Sequence, residues 1–366
     1  MKRLRNIIVW MLIAVVSESA IFLYVDKDYL AADTKFKPVN IDLKSKSKNE
    51  SLKLALPSDY KTSIKLSTDG KYIAFKNGNN LKVVNTTTGE STEVVPAANE
   101  IIDCFTWVYG NDRILLTKKN TKLGKFHLYH YDPRNKDSLT EERNYLSADD
   151  TTGEEEAIYS KSSKSAVTDI FNSPLSGGTY IRVKANGAGG RDQIYLMDRM
   201  NQLEPVSSTN LKTASIGRSL ATYNSAKFVY EDTIKGKIYS TDYKGVIPTG
   251  TQKARLLGVD YDTDDVYIGI IYQGNKDQVE TIYSGDIGKS FDTWNKISLS
   301  KPAYVDNIIV DNGTIYVNDA MEGKITDVVK NKQMSYDGNF IGVFKSGIVS
   351  YTSDNMLKKQ LFKNMK

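Results

Sequence analysis

The sequence has few of the residues that most often carry catalysis, metal binding or covalent cross-links. Its 366 residues include one cysteine and two histidines. A single cysteine cannot form an intrachain disulfide, so the folded part of the chain must be stabilised by packing. Cys104 lies in an apolar, β-prone run and is expected to be a small buried side chain. His127 and His130 lie three residues apart on a predicted strand, so they point to opposite faces and are not expected to share a metal ion.

The motif of a serine hydrolase is also missing from the sequence. Residues 217–221 are the nearest approach to Gly-x-Ser-x-Gly, and they have alanine in place of the second glycine. Two histidines offer little choice for the general base of a Ser-His-Asp triad. We therefore expect no catalytic residues and no cofactor.

The charge distribution does not indicate nucleic-acid binding. The formal net charge is +5, and basic residues are concentrated at Lys2, Arg3 and Arg5 and in the lysine-rich run 44–48. The rest of the chain is therefore close to neutral. A hydrophobic content of 40% and a charged content of 25% are ordinary for a chain that folds around a sizeable core. The abundance of Lys, Asn, Ile and Tyr is typical of an AT-rich, Gram-positive bacterial genome.

A hydrophobic segment follows the basic N-terminus. Residues 7–25 are apolar apart from Ser17, Glu18 and Ser19. At about 1.5 Å per residue, a helix of this length spans a bilayer core of roughly 30 Å. The excess of positive charge before the segment predicts that residues 1–6 stay in the cytoplasm and that the rest of the chain is extracellular. The sequence therefore predicts a single-pass protein of the cell membrane.

A cleaved signal peptide is the alternative interpretation of this segment. Ser17 and Ser19 have the small side chains that signal peptidases prefer. The apolar run continues through residues 21–25, beyond such a cut, which favours an uncleaved anchor. Glu18 is exceptional in the predicted helix, because a carboxylate at membrane depth costs about 2.5–3.5 kcal/mol. Two positions of Glu18 would reduce this cost. The carboxylate could face a partner helix or a proton-accessible cavity, or it could lie in the outer third of the membrane and reach the interface with water. We favour the interfacial position.

The sequence pattern changes twice after the hydrophobic segment. Residues 26–58 are polar and lysine-rich, which indicates a stalk that also contains a ring-closing strand. Residues 59–366 consist of short runs rich in Tyr, Ile, Val and Thr, separated by Asp, Asn and Gly turns. The first clear unit, residues 67–90, has the pattern turn, strand, hairpin turn, strand and turn. Similar units open near residues 107, 175, 224, 262, 311 and 336.

This repeat predicts the fold of the extracellular part. A spacing of roughly 40–45 residues with about four antiparallel strands in each unit is typical of the blades of a β-propeller. The hairpins predict an all-β propeller with seven blades, or six if two short units merge. Residues 340–366 supply only about three strands, whereas a closed ring leaves no open edge. We therefore expect a strand from residues 36–56, either Val39–Leu43 or Leu52–Leu56, to complete the last blade.

The first unit resembles a known type of repeat. Residues 67–75, Ser-Thr-Asp-Gly-Lys-Tyr-Ile-Ala-Phe, and residues 81–90, Leu-Lys-Val-Val-Asn-Thr-Thr-Thr-Gly-Glu, resemble the WD-type repeat of TolB-like propellers and of the N-terminal propellers of dipeptidyl-peptidase-IV-like enzymes. The resemblance implies a propeller from about residue 60 to the C-terminus. It implies no peptidase activity, because the hydrolase domain of those enzymes carries the Gly-x-Ser-x-Gly elbow.

A second resemblance lies in the fifth unit. The sequence Ser-Gly-Asp-Ile-Gly-Lys-Ser-Phe resembles the Asp-box of sialidase-like propellers, with these residues at the defining positions: Ser284, Asp286, Gly288, Ser290 and Phe291. In such a box, short Ser and Asp side chains bind turn amides, the glycine permits a positive φ and the aromatic residue packs between sheets. The resemblance implies a structural hairpin that lies away from an active centre.

An acidic segment in the fifth unit resembles the start of a calcium-binding loop. Asp260, Asp262 and Asp264 have the alternate spacing of calcium ligands. However, Asp265 occupies the position where an EF-hand requires glycine, and Ile271 replaces its final glutamate. The segment also coincides with the turn that precedes a strand in the repeat. We favour the turn and keep calcium as the alternative.

Tyrosine is unusually frequent, with 23 copies. Most of these tyrosines occupy alternate strand positions, where the aromatic ring packs between blades and the hydroxyl reaches an edge. A few tyrosines at loop ends could form a contact surface for a glycan or a protein.

Two classes of function fit these features. The leading hypothesis is a non-catalytic binding or scaffold module outside the membrane, which engages an envelope or membrane protein complex or a cell-surface polymer. The alternative is an extracellular glycan-active enzyme, such as a sialidase-like glycosidase or a lyase, suggested by the Asp-box and by fold analogy. A third, less favoured role is signal transmission through the membrane helix, with Glu18 in contact with a partner.

Overall fold

The computed structural model describes most of the chain after residue 49. The described residues are 15, 17–18, 50–57, 64–135, 139–141, 158–159, 165–184, 192–200, 202–206, 211, 214–241, 245–247, 249, 252–272 and 277–365. The chain divides into two compact units, Met1–Lys48 and Asn49–Lys366.

In the first unit, Val15, Ser17 and Glu18 are helical and exposed. The rest of the expected membrane segment 7–25 lies outside the described residues, as does the candidate strand Val39–Leu43. Within the part of the chain that is described, no helix has the length and apolar character needed to cross a membrane.

The second unit consists of seven antiparallel sheets in its described residues, which we number as blades in chain order. Blades 1 to 4 contain β2 (Lys65–Leu66), β3 (Tyr72–Asn77), β4 (Asn80–Asn85) and β5 (Ser91–Val94); β6 (Glu100–Trp107), β7 (Ile114–Asn120), β8 (Lys125–Tyr131), β9 (Thr140–Glu141) and β10 (Ile158–Tyr159); β11 (Ala166–Ser173), β12 (Gly178–Lys184), β13 (Asp192–Met197) and β14 (Leu203–Pro205); and β15 (Ile216–Ala221), β16 (Phe228–Asp232), β17 (Lys237–Ser240) and β18 (Gly245–Val246).

Blades 5 to 7 follow the same order of strands. They contain β19 (Ala254–Val259), β20 (Val266–Ile271), β21 (Gln278–Gly285) and β22 (Asn295–Tyr304); β23 (Ile308–Asp311), β24 (Thr314–Asp319), β25 (Lys324–Asp327) and β26 (Lys332–Ser335); and β27 (Asn339–Phe344), β28 (Gly347–Tyr351), β29 (Met356–Leu361) and β1 (Glu50–Lys53). In each blade, consecutive strands are hydrogen-bonded neighbours, and in blade 2 both β9 and β10 pair with β8.

The first strands of the blades form the inner wall of a closed ring. Each first strand contacts the first strand of the next blade, from β2 and β6 round to β23 and β27, and β27 contacts β2. The circle is therefore complete, with a central channel inside the first strands and the fourth strands at the rim. The protein is an all-β propeller with seven blades, and the six-blade alternative is wrong.

Blade 7 is completed by a strand from the N-terminal side of the ring. β1 pairs antiparallel with β29, and Leu52 lies opposite Leu357. Beyond β1, the hydroxyl of Tyr351 donates a hydrogen bond of 3.0 Å to the carbonyl of Leu54. The expected ring-closing strand is confirmed, and it overlaps the second of the two candidate segments.

The seventh hairpin of the sequence repeat was assigned to the wrong pair of strands. In blade 1, the repeat unit begins with the turn at Ser67, which lies between the first and second strands. The final unit, from Tyr336 to Phe344, instead begins before the first strand of blade 7, β27, and ends in that strand. The turn before the second strand of blade 7 is Lys345–Ser346, which contains no Asp or Gly.

Apolar side chains fill the space between neighbouring blades. The buried residues form seven clusters, and each cluster draws on two consecutive blades, including blades 7 and 1. Between blades 4 and 5, for example, Val229 packs with Ile268 and Trp294. Cys104 is buried between blades 2 and 3, and burial raises the pKa of its thiol to about 11, as expected for an unreactive cysteine.

Charged side chains reinforce the contacts between blades at β-bulges. The first strands of blades 2, 3, 4, 5 and 7 are bulged. Arg182, on the second strand of blade 3, donates hydrogen bonds of 2.6 and 2.9 Å to the carbonyls of Ile216 and Gly217 in the bulge of blade 4. Similarly, the ammonium of Lys76 in blade 1 donates to the carbonyl of Asp103 in blade 2 at 3.2 Å. These bonds satisfy main-chain groups that the bulges release from the sheet.

Candidate binding site on the second face and in the central channel

Antiparallel strands give the propeller two faces. The turns between first and second strands and between third and fourth strands lie on one face, which we call the first face. The turns between second and third strands and the connections between blades lie on the opposite face, the second face. β1 begins on the first face, because it runs antiparallel to β29.

The second-face turns of blades 2, 4 and 6 share one construction. In blade 4, Asp232 Oδ1 accepts hydrogen bonds from the amides of Ile234 and Lys235 at 3.1 and 3.2 Å, and Gly236 ends the turn with a φ of +62°. Asp and Asn favour such turns, and glycine adopts positive φ without steric cost. The corresponding residues in the other two blades are Asn120 and Gly124, and Asp319 and Gly323.

These turns hold large apolar side chains in solvent. Leu123 is 65% exposed, Ile234 is 77% exposed and Met321 is 99% exposed. Three more exposed apolar or aromatic residues lie on the second face, namely Val95, Tyr272 and Tyr304. The first face has three such residues among those described: Leu175, Met200 and Val329. Among the described residues, the second face is thus the more apolar of the two.

Charge on the second face is divided between its two halves. Turns and connections of blades 2 and 4 carry exposed lysines, Lys122, Lys235 and Lys253. Turns and connections of blades 5 to 7 carry exposed carboxylates, namely Asp277, Asp306, Asp319, Glu322, Asp337 and Asp354. Two of these carboxylates also pair with lysines of the same half. A ligand that covers the whole face therefore meets positive charge on one side and negative charge on the other.

Three tyrosines from separate blades meet at the first-face end of the channel. The aromatic rings of Tyr109 in blade 2 and Tyr261 in blade 5 are stacked, with centroids 3.9 Å apart and planes at 26°. Tyr223 of blade 4 stands edge-on to both at 5.7 and 6.0 Å. The hydroxyl of Tyr109 donates to Asn312 Oδ1 in blade 6 at 3.2 Å. Because blades 2 and 5 are not neighbours, this tyrosine bridge crosses the channel.

Burial disfavours ionisation of two tyrosines of the bridge, Tyr109 and Tyr261. It raises the pKa of Tyr261 to about 12, and the nearby carboxylate of Asp311 acts in the same direction. Burial and the same carboxylate also raise the pKa of Tyr109. Asp311 itself has a pKa raised by burial. Tyr109 and Tyr261 therefore resist ionisation and act through packing and hydrogen bonding.

A cavity of about 420 Å³ lies in the channel next to the tyrosine bridge. Its lining comes from the first strands of blades 3 to 6 and includes Asp169, Phe171, Arg218, Ser219, Leu257 and Val310. Tyr261 lines it at the first-face end. The volume lies within the range of about 300–1,000 Å³ that is typical of small-molecule sites.

A second pocket, of about 310 Å³, lies on the second face beside the channel. We call it the blade-5 pocket, and its lining residues are Arg255, Asp277, Tyr304, Val305, Asp306 and Asn307. Arg218 connects the two cavities, because it lines the channel and its Nη2 lies 2.5 Å from Asp306 Oδ1.

The position of Arg255 in this pocket is fixed from below by Glu231. Arg255 Nε lies 2.6 Å from Glu231 Oε1, and its Nη1 lies 3.5 Å from Asp277 Oδ1. Glu231 is fully buried and also accepts a hydrogen bond of 3.3 Å from the amide of Leu256. Burial raises the pKa of Glu231, while the charge of Arg255 opposes this effect. The pair ties blade 4 to blade 5 and orients the guanidinium toward the pocket.

The Asp-box residues lie on the turn between the third and fourth strands of blade 5. Asp286 Oδ1 accepts a hydrogen bond from the amide of Gly288 at 2.8 Å. The aromatic ring of Phe291 packs against Tyr283 and Trp294, with centroids 4.9 and 5.2 Å away. Gly288 does not adopt a positive φ in this turn. Ser284 is buried at the end of β21, and Ser290 precedes the short 3-10 turn that contains Phe291.

The three aspartates of the calcium alternative have separate roles in the structure. Asp260 Oδ1 accepts from the amide of Asp262 at 2.8 Å and shapes the turn. Asp264 points to blade 4, where its carboxylate accepts from the amides of Tyr223 and Ser225 at 2.7 and 3.0 Å. Within the described ranges, no three His, Cys, Asp or Glu side chains are grouped closely enough to hold a metal ion. The geometry fits the favoured turn interpretation.

Sequence reasoning missed the residues of the blade-5 pocket. Arg255, Asp277 and Asp306 come from a first strand, a turn and a connection between blades, and no local motif joins them. These three residues share only their position in the repeat, since each lies at or next to the end of a predicted strand on the second face. The tyrosine bridge was missed for the same reason, although the excess of tyrosine had indicated aromatic packing between blades.

Comparison with known proteins gives similar solved structures, each with a TM-score below 0.5. No family model and no curated protein matches the chain. Among solved structures, the β-propeller domain of Cps50 (Swd1) from Myceliophteria thermophila matches with a TM-score of 0.49 and 8% identity, over 84% of this chain and 98% of that one. A chain of the Mitotic Checkpoint Complex matches with a TM-score of 0.45 and 9% identity, over 86% and 94%. The RRP9 WD40 repeats match with a TM-score of 0.43 and 11% identity, over 69% and 71%.

The chain is a seven-bladed β-propeller with WD40-like neighbours. At these levels of identity the similarity concerns the fold alone. The resemblances to TolB-like repeats and to the Asp-box stay predictions.

Proposed function

We propose that this protein is a non-catalytic binding module, anchored in the cell membrane by residues 7–25, with its propeller outside the cell. Its ligand is a folded protein of the cell envelope, which binds the second face. The observation that supports this proposal is the set of exposed apolar side chains on the second-face turns of blades 2, 4 and 6.

These side chains are suited to binding because their turns are rigid. The side-chain hydrogen bonds of Asn120, Asp232 and Asp319 fix each turn before a ligand arrives. Little conformational entropy is then lost when the tip is buried in a complex. Large apolar and aromatic side chains are also enriched at the centres of protein interfaces.

The charge pattern favours a protein over a lipid surface as the ligand. A bilayer of anionic lipids attracts a uniformly basic surface. The second face instead carries lysines on blades 2 and 4 and carboxylates on blades 5 to 7. A protein partner can match both halves, and such complementarity steers association and fixes orientation.

Site-specific photo-crosslinking of the full-length chain in living cells tests the proposed face. A benzophenone amino acid is placed at position 123, 234 or 321, one position at a time. We expect a discrete protein adduct from these second-face positions. Positions 175, 200 and 329 are matched controls, because their apolar side chains are 63–69% exposed on the first face. Equal yields of protein adduct from positions on both faces, or no adduct from the second-face positions, would contradict the proposal.

Membrane anchoring and the absence of catalysis need separate measurements. We expect the full-length chain to remain in the membrane fraction after alkaline carbonate extraction. Release of a chain that lacks residues 1–25 would contradict the anchor. We also expect the purified full-length protein to release no sugars from cell-wall polymers or sialylated glycans. Turnover of either substrate would support a glycan-active enzyme instead.

A further inference from the structure

The cavity beside the tyrosine bridge, which we call the channel cavity, is closed at one end by residues that the structure describes. Tyr261 lines its first-face end, where the stacked rings of Tyr109 and Tyr261 cross the channel. Arg218 also lines the cavity, and through its contact with Asp306 it reaches the blade-5 pocket on the second face. A ligand of the channel cavity therefore enters from the second face.

The two charged side chains in the described lining of the channel cavity already have partners. Asp169 Oδ2 accepts a hydrogen bond of 3.3 Å from Arg182 Nη1. Arg218 Nη2 lies 2.5 Å from Asp306 Oδ1 and donates to the carbonyl of Val305 at 3.3 Å. A charged ligand would have to replace one of these contacts, which loses the interaction already made. The lining is therefore suited to a neutral ligand.

Ser219 contributes a polar group that the fold does not use. It lines the channel cavity from the first strand of blade 4. Its hydroxyl oxygen is buried and makes no hydrogen bond with the described residues. Most buried polar groups in native proteins are hydrogen-bonded, because an unsatisfied one costs free energy. A hydroxyl group of a ligand could pair with Ser219 as either donor or acceptor.

Aromatic, aliphatic and main-chain groups form the rest of the wall. Phe171 and Tyr261 supply aromatic rings, and Leu257 and Val310 supply aliphatic side chains. Each first strand pairs with a second strand on one side only, so its other edge presents amides and carbonyls to the channel. A sugar ring suits such a wall, because its C–H face packs on aromatic rings and its hydroxyls both donate and accept hydrogen bonds.

We propose that the channel cavity binds a neutral mono- or disaccharide, with one sugar hydroxyl at Ser219 and the C–H face of the ring toward Phe171. The volume of about 420 Å³ lies in the lower part of the range of about 300–1,000 Å³ for small-molecule sites, which limits the ligand to this size. The sugar is bound and released unchanged. This site goes beyond the proposed function, since it uses none of the exposed side chains on the second-face turns.

Saturation-transfer difference NMR on the purified full-length protein tests for such a ligand. The neutral probes are glucose, N-acetylglucosamine, maltose and diacetylchitobiose, and the charged probes are choline and glutamate. We expect at least one neutral sugar to receive saturation from the protein, with the largest transfer to the C–H protons of one ring face. Transfer to a charged probe alone, or to none of the probes, would overturn the inference.

Ser219→Ala tests where the sugar binds. The substitution removes a hydroxyl that has no partner in the fold, so the propeller should keep its stability in urea. The affinity for the sugar identified by NMR should fall by about threefold to tenfold, measured by isothermal titration calorimetry. Ser300→Ala, at an exposed serine on the outer strand of blade 5, is the matched control. Equal affinity in the two variants would overturn the proposed contact with Ser219.

Phe171→Leu tests the aromatic wall. Leucine keeps an apolar side chain and removes the ring, so saturation transfer to the C–H face of the sugar should fall. The ring of Phe171 also packs near Phe228, with centroids 5.8 Å apart, and circular dichroism checks that the variant is folded. Unchanged transfer in the folded variant would contradict the proposed orientation of the sugar. If the variant does not fold, Ser219→Ala still decides whether the sugar lies in the channel.

The sugar site and the second-face partner can fail separately. Absence of sugar binding, with protein adducts intact at positions 123, 234 and 321, would overturn the channel site and leave the proposed function standing. Missing adducts at those positions, with sugar binding intact, would overturn the proposed function and leave the channel site standing.

Discussion

Leu52 and Leu357 lie opposite each other in adjacent strands of blade 7, although they come from opposite ends of the propeller sequence. Leu52 belongs to a strand of four residues that covers the outer side of β29. Both leucines join the apolar cluster between blades 7 and 1. Ring closure therefore depends on a short strand that contributes one leucine to this cluster.

Leu52→Asp is expected to destabilise the propeller. The substitution removes an apolar contact of the closing strand and places a carboxylate in the cluster, so the free energy of unfolding should fall by about 2 kcal/mol. Urea denaturation followed by tryptophan fluorescence measures the change. Ser51→Asp, at an exposed neighbouring position of the same strand, is the control. Equal stability of the two variants would show that β1 does not hold the ring closed.

Arg182→Met is expected to lower the free energy of unfolding by about 3 kcal/mol. The substitution leaves Asp192, 2.9 Å from Arg182 Nη2, and two carbonyls of the blade 4 bulge without their donor. Arg182→Lys keeps the charge but not the planar fork of donors. Its free energy of unfolding should therefore lie between those of the unchanged protein and Arg182→Met. Arg199→Met at an exposed site is the control for denaturant unfolding. If the free energy of unfolding of Arg182→Met falls by less than about 1 kcal/mol, water has replaced the hydrogen bonds of the guanidinium.

The blade number and the ring-closing strand could be predicted because both depend on local patterns. Hairpins such as residues 67–90 have alternating strands and Asp, Asn or Gly turns, which the chain specifies without distant contacts. The turn at Lys345–Ser346 contains no Asp, Asn or Gly, so the last repeat unit was placed one strand too early. Strand register in this blade is set by packing against its neighbours, which a local pattern does not contain.

Stability at alkaline pH should depend on Tyr261. Burial raises the pKa of this phenol to about 12, above the value of about 10 in an unfolded chain. The stabilisation is complete below about pH 10 and is lost as the pH rises toward about 12, because the unfolded state ionises first. In Tyr261→Phe, the free energy of unfolding should therefore fall less across this window than in the unchanged protein.

Urea unfolding at several pH values between neutral pH and pH 12 measures this difference. Tyr272→Phe, at an exposed turn on the second face, is the control and should follow the unchanged protein. Identical pH dependence in the Tyr261→Phe protein would show that the tyrosine bridge is open to water.

Asp264→Asn should loosen the contact between blades 4 and 5 on the first face. One carboxylate oxygen is replaced by an amide nitrogen, which cannot accept from the amides of Tyr223 or Ser225. Asparagine still tolerates the positive φ of 65° at this position. We expect a loss of about 1–3 kcal/mol, measured by denaturant unfolding.

The same experiment separates a turn from a calcium site. We expect the loss of stability in Asp264→Asn to be equal in calcium and in a calcium chelator, with Asp292→Asn, at an exposed position outside the acidic turn, as the control. A calcium-dependent increase in the stability of the unchanged protein that disappears in Asp264→Asn would establish a metal site instead.

The candidate site could be predicted only in part. The acidic turn at residue 260 and the Asp-box turn were found because their residues are close in sequence. Arg255 and Asp306 are brought together by the return of the chain from one blade to the next, and Glu231 reaches them from a third position. Contacts of this kind depend on the register of several strands at once, so no single segment reveals them.

The seventh blade can be completed only after the last strand of the chain has been synthesised. β1 is made before every other strand of the ring, and the strand that it pairs with is made after all of them. The earliest strand must therefore remain unpaired, with its edge open to other chains, until translation has delivered the last. A nascent chain whose synthesis stalls before β29 is made carries an exposed strand edge, which makes it a natural substrate for chaperones and quality-control proteases.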